Sequence, residues 1–115
     1  MNETAPKSED VIISGFNKEE KVFVESVREE CDAFLEKIRR ETDVRSLELR
    51  MRHSQHGNSR LFDARATARL PSGNLFAQAS ARERNLAIRR VFAEIAAQAS
   101  RIAGYKAGIR AKEKR

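Results

Sequence analysis

Two periodicities alternate along this chain. Val11-Ile12-Ile13 is a β-branched run closed by Ser14-Gly15, which predicts a brief first strand. Asn17 and Glu20 then stand at capping-box spacing. Phe23, Val27, Cys31, Phe34, Leu35 and Ile38 follow on one side of a 3.6-residue period, predicting a helix to about Glu41. From Val44 the period becomes two. Leu47, Leu49 and Met51 share one face of a second strand, and Glu48, Arg50 and Arg52 share the other. Ser54 to Ser59 is expected to be a polar loop. A third strand puts Phe62, Ala64, Ala66, Ala68 and Leu70 inward, with Asp63, Arg65, Thr67 and Arg69 outward. Pro71-Ser72-Gly73-Asn74 predicts a tight hairpin turn into a fourth strand with Leu75, Ala77 and Ala79 inward. Ser80 and Glu83 repeat the capping-box spacing. Ile88, Val91, Phe92, Ile95, Ala99 and Ile102 then predict a last helix to about Ala103, stopped by Gly104.

The elements add up to an α+β fold of order β-α-β-β-β-α: a four-stranded sheet with two helices packed on one face. Strands of alternating polarity have one side to bury, and two amphipathic helices suffice to cover it. The alanines of strands three and four let a helix approach closely. The first strand should pair in parallel with the second, because a whole helix connects them. A length of 115 residues suits one domain. Residues 1–9 are expected to form a disordered leader, 10–103 the α+β domain, and 104–115 a basic flexible tail.

Charge changes this picture. The formal net charge of +6 hides two opposed parts. Residues 1–43 carry 7 Lys/Arg against 12 Asp/Glu, and residues 44–115 carry 16 against 5. A surface with a net +11 in one part of the chain attracts phosphate through Coulomb interaction and counterion release. Arg82, Arg84, Arg89 and Arg90 crowd the start of the last helix, where Arg82 and Arg89, seven apart, should share a face. The plainer alternative is a solvated face. Arg50, Arg52, Arg65 and Arg69 should form a patch on the open face of the sheet. Cross-strand repulsion makes that patch costly unless Glu48 and Asp63 neutralise it. Arg101, Lys106 and Arg110 carry the basic set into the tail. With six Phe, one Tyr and no Trp, there is little aromatic surface for stacking bases.

Other chemistries find no support. The single cysteine, Cys31, excludes an internal disulfide framework, fits a reducing cytoplasm, and lies on the apolar stripe as core packing. No apolar run approaches the ~20 residues that span a bilayer, so no membrane partner is expected. The polar, acidic start does not resemble a secretory signal. His53, His56 and Cys31 match no zinc spacing, so no metal or cofactor is expected. Ser54 and Ser59 beside these histidines lack a third group and an oxyanion site, so neither an enzyme nor a small-molecule substrate is expected.

The element order across 10–103 and two segments carry a family resemblance. One segment is Asn74-Leu75-Phe76-Ala77-Gln78-Ala79-Ser80-Ala81-Arg82-Glu83, an apolar strand with alternating alanines and an acidic helix start. The other is Leu86-Ala87-Ile88, continuing to Phe92 and Ile95. In these the chain resembles the ribosome hibernation-promoting factor family, also called ribosome-associated inhibitor A or protein Y, in its short form. It differs from the family's pattern at Glu20-Lys21-Val22-Phe23, at Asn85 where a Tyr is common, and in its net acidic first helix. The resemblance implies a non-catalytic factor that binds the small ribosomal subunit through rRNA phosphates. It would occlude the channel used by mRNA and tRNA, and so block translation in starved or stationary cells. Two alternatives stand beside it. One is a general RNA-binding module of double-stranded-RNA-binding-like fold. The other is a self-associating domain, whose acidic first helix pairs weakly with the basic last helix of a second copy.

Overall fold

The computed structural model describes residues 10–16 and 21–113, with the side chains at 21, 56 and 104–113 excepted. Its elements are β1 (Val11–Ser14), α1 (Lys21–Ile38), β2 (Ser46–His56), β3 (Ser59–Leu70), β4 (Gly73–Ala81) and α2 (Arg84–Glu113). The strands lie in the order β1-β2-β3-β4. β1 is parallel to β2, with Val11 opposite Leu47, and the other two pairings are antiparallel. The α+β order expected from the sequence is the one observed. The Asn17–Glu20 capping box lies outside the described residues.

Period-two alternation explains which face is covered. Leu47, Leu49 and Met51 of β2, Ala64, Ala66 and Ala68 of β3, and Ala77 and Ala81 of β4 are all buried. Val27, Cys31, Leu35 and Ile38 of α1 join them, as do Ala87, Ile88, Val91, Ile95 and Ala99 of α2. Alanine on both sides of the α2–sheet contact brings the helix close to the strands. The helices meet through Phe34 and Phe92, stacked at 4.3 Å with ring planes 5° apart. The chain returning from α1 to β2 is pinned by Arg39. Its guanidinium donates to the carbonyls of Val44 (2.8 Å) and Arg45 (3.0 Å) and to Asp10 (2.7 Å). Gly15 ends β1 at φ +93°, against the β2 backbone, where a Cβ would overlap the Met51 carbonyl.

Four boundaries differ from the sequence expectation, each for a physical reason. α1 ends at Ile38 rather than Glu41, because the amides of Arg40 and Glu41 turn back to the carbonyls of Lys37 and Ile38 in tighter bonds. The expected loop from Ser54 to Ser59 is mostly strand. His56 pairs with Ser59, leaving only Gly57-Asn58 as the turn, and Gly57 supplies the positive φ of a type II′ hairpin. Ser80 is not a helix cap. β4 runs on to Ala81, the Ser80 hydroxyl donates to Asp63 (3.0 Å), and the Glu83 carbonyl accepts the first helical bond, from Ala87. Nor does Gly104 stop α2, which continues to Glu113. One glycine costs a helix about 1 kcal/mol relative to alanine, too little to end it among favourable neighbours.

Candidate nucleic-acid interface

The four arginines near the start of α2 do not form one cluster. Arg82 precedes the helix, in the bend after β4, so it does not share a helical face with Arg89 as the spacing suggested. Arg82 and Arg89 are exposed. Arg84 is turned inward. Its guanidinium lies 4.5 Å from the ring centre of Phe23, 5.0 Å from Phe62 and 5.9 Å from Phe16. The β1–α1 connection, α1 and β3 thus surround one cation with aromatic faces, an attraction between charge and ring quadrupole that also closes the end of the core. Arg90 donates to the Ser80 carbonyl (2.9 Å). Further along α2, Gln98 donates to the Phe76 carbonyl (2.8 Å). Both bonds hold the helix to β4, at the edge of the sheet.

The open face of the sheet is where alternation put it. Glu48, Arg50 and Arg52 project from β2; Asp63, Arg65, Thr67 and Arg69 project from β3; Phe76, Gln78 and Ser80 project from β4. Arg50 stands directly opposite Arg65, and Arg52 opposite Asp63. The two carboxylates are engaged elsewhere. Glu48 pairs with Arg69 at 3.6 Å. Asp63 accepts from Ser80 (3.0 Å) and Gln78 (3.3 Å) and lies 3.6 Å from Arg65 Nε, an ion pair too long for a hydrogen bond. Among the described residues, the Arg50 and Arg52 side chains have neither a hydrogen bond nor an ion pair. The carboxylates are also recessed: the Asp63 side chain is 22% exposed, while Arg69 reaches 55%. Guanidinium groups therefore stand proud of acids on this face.

Two open depressions flank Arg50. One, of about 320 Å³, is lined by Ser14, Gly15, Arg50, Met51 and Arg52. The other, of about 190 Å³, is lined by Glu48, Arg50, Arg65, Thr67 and Phe76. Phe76 is 53% exposed, and Ser14 Oγ is buried without a hydrogen-bond partner. Neither residue was a candidate from the sequence. Phe76 could have been found there, since inward Leu75 and Ala77 require it to point outward. Arg60, beside the β2–β3 turn, was also passed over and is exposed.

The remaining candidates are scattered. Arg101 is drawn to Glu94 (3.7 Å). Lys106 and Arg110 lie on the last turns of α2, and their side chains lie outside the described residues. Exposed Glu25, Glu29, Glu30 and Glu36 make the surface of α1 acidic, while Arg28 turns in to the Val11 carbonyl (3.1 Å). Cys31 is fully buried, and desolvation, with smaller contributions from Asp32 and Glu30, pushes its thiol up to about 12. That is an inert core thiol, as its place on the apolar stripe implied. His53 leans on Phe62, ring centres 6.3 Å apart. Among the described residues, no three His, Cys, Asp or Glu are placed to hold a metal ion, and no helix is long and apolar enough to cross a membrane.

No family model and no curated protein matches the sequence. Solved structures do share its fold. The N-terminal domain of protein Y from Thermus thermophilus is 18% identical, with a TM-score of 0.57, covering 80% of this chain and 94% of that one. A ribosomal subunit interface protein from Coxiella burnetii is also 18% identical, with a TM-score of 0.55, covering 84% of this chain and 97% of that one. The fold implied by the sequence resemblance is thus the fold found.

Proposed function

We propose that this chain is a divergent member of the ribosome hibernation factor family. It acts in the cytoplasm without catalysis. It binds the small ribosomal subunit through rRNA phosphates and sits in the channel used by mRNA and tRNA. The observation that carries this reading is the shared fold, which spans 94% of the protein Y N-terminal domain and 97% of the ribosomal subunit interface protein. The exposed arginines supply the chemistry, since guanidinium groups that lack a carboxylate partner suit phosphate oxygens. Occlusion needs no reacting group, only a rigid body held in place.

The test is co-sedimentation of the purified protein with isolated small and large subunits across a salt series. Stoichiometric binding to small subunits alone, weakening as salt rises, is the expected result. The Arg82→Glu/Arg89→Glu variant should bind less and fold normally, because neither side chain is tied into the core. Absence of binding at low salt would end the ribosome reading. Equal affinity for free duplex RNA would favour a general RNA-binding module.

A further inference from the structure

The open face of the sheet differs from a plain basic patch in having two kinds of site side by side. On the β1 side, Arg50 and Arg52 flank a depression that Ser14 and Gly15 also line. Both guanidinium groups lack an anion among the described residues, and the face's own carboxylates are engaged by Arg69, Arg65, Gln78 and Ser80. On the β4 side, the second depression is shared by Arg50, Arg65 and the exposed ring of Phe76. Strands lie about 4.8 Å apart and rise about 3.4 Å per residue, and Phe76 on β4 is level with Glu48, so it is about 12 Å from the Arg50 backbone. An arginine side chain and two consecutive nucleotides together bridge that gap.

From this juxtaposition we propose that the open sheet face holds a short segment of single-stranded RNA. One of its phosphates lies between Arg50 and Arg52, and an unpaired base of a neighbouring nucleotide stacks on Phe76. The occupant follows from charge and shape. Two unpaired cations call for an anion, and an exposed aromatic ring beside them calls for a flat apolar partner attached to that anion. A duplex cannot supply this partner, because its bases are already stacked and paired. An acidic peptide would satisfy the arginines and leave Phe76 without a role. The inference rests on the RNA-binding reading above and deepens it, naming the form of RNA and the residues that hold it.

The test uses the whole protein and three probes: a fluorescein-labelled ten-nucleotide oligouridylate, a labelled ten-base-pair RNA duplex, and inorganic tripolyphosphate. Phe76→Leu keeps an apolar, strand-compatible side chain and removes the ring. It should weaken oligouridylate binding about tenfold, as loss of one stacked base does, and leave tripolyphosphate binding unchanged. Arg50→Gln/Arg52→Gln should weaken both. Thermal unfolding of each variant should match the parent, since all three side chains are exposed. Loss of tripolyphosphate binding in Phe76→Leu, or duplex binding as tight as single-strand binding, would overturn the proposal. Co-sedimentation of the same variants keeps the two readings apart. If the variants lose oligouridylate but bind subunits like the parent, the face holds RNA and the ribosome is held elsewhere. If the parent binds subunits and shows no oligouridylate binding, the sheet site fails while the ribosome reading stands.

Discussion

The arginines near the start of α2 and those of β2 carry the same charge in different surroundings. Arg84 is enclosed by three phenylalanines distant in sequence, and Arg90 is fixed to a carbonyl of the edge strand. Arg50 and Arg52 project from the open face of the sheet, beside two depressions, and have no partner among the described residues. The first pair joins elements to one another; the second pair is available to something else. Charge counted along a sequence is therefore not charge presented to a ligand. A cation contributes to binding only in so far as the fold has not already satisfied it.

The largest test of this contrast is Arg84→Ala. Three ring contacts and the closed end of the core are lost together. The expected destabilisation is about 2 kcal/mol. A domain of this size should then unfold roughly 8 °C lower or more. Arg50→Gln, by the same thermal measurement, should stay within about 0.5 kcal/mol of the parent, as exposed substitutions do. Equal losses in the two variants would remove the distinction.

Next in size is the effect on RNA affinity, where the order should invert. Arg50→Gln/Arg52→Gln removes two phosphate contacts and should lower affinity for single-stranded RNA by about tenfold, or about 1.4 kcal/mol. The slope of log affinity against log salt should become shallower by about 1.4, at roughly 0.7 for each phosphate released from a single strand. Arg84→Ala, assayed well below its melting temperature, should keep the parent's slope. A shallower slope there would mean that Arg84 leaves its aromatic site to meet RNA.

Arg90 tests the contrast from a middle position, because it is exposed yet bonded. Arg90→Ala loses one hydrogen bond to the Ser80 carbonyl and should shift the urea midpoint by an amount corresponding to about 1 kcal/mol. It also frees an outward carbonyl on β4, so self-association at high protein concentration should rise. Sedimentation velocity at two concentrations measures this.

These surroundings explain what the sequence could disclose. Alternation in β2, β3 and β4 is a property of neighbours two apart, so Leu47, Ala66 and Ala77 declare the covered face and Arg50 and Arg52 the open one without knowledge of the partner strands. The stripe from Phe23 to Ile38 declares α1 in the same way. Arg84 is another matter, because its fate depends on Phe16, Phe23 and Phe62, up to 68 positions away, being folded around it. The spacing of Ser80 and Glu83 suggested a cap on local grounds, but the pairing of Phe62 with Ala81 kept the chain in the sheet. Ser14 was hidden for a similar reason. It lines the depression only because β1 ends where β2 presents two arginines.

The smallest effect expected is also the most discriminating. Arg50 stands directly opposite Arg65, and like charges in that position oppose each other by a few tenths of a kcal/mol. Threonine suits a strand at least as well as arginine and carries no charge. Arg50→Thr should therefore stabilise the protein slightly, by about 0.3 kcal/mol at low ionic strength. The gain should fade near 1 M salt, where the screening length is about 3 Å. The same substitution should weaken single-stranded RNA binding. Stability and binding would then pull in opposite directions at one side chain, as expected of a cation whose partner comes from outside the fold. A destabilised Arg50→Thr protein would show that Arg50, like Arg84, belongs to the scaffold.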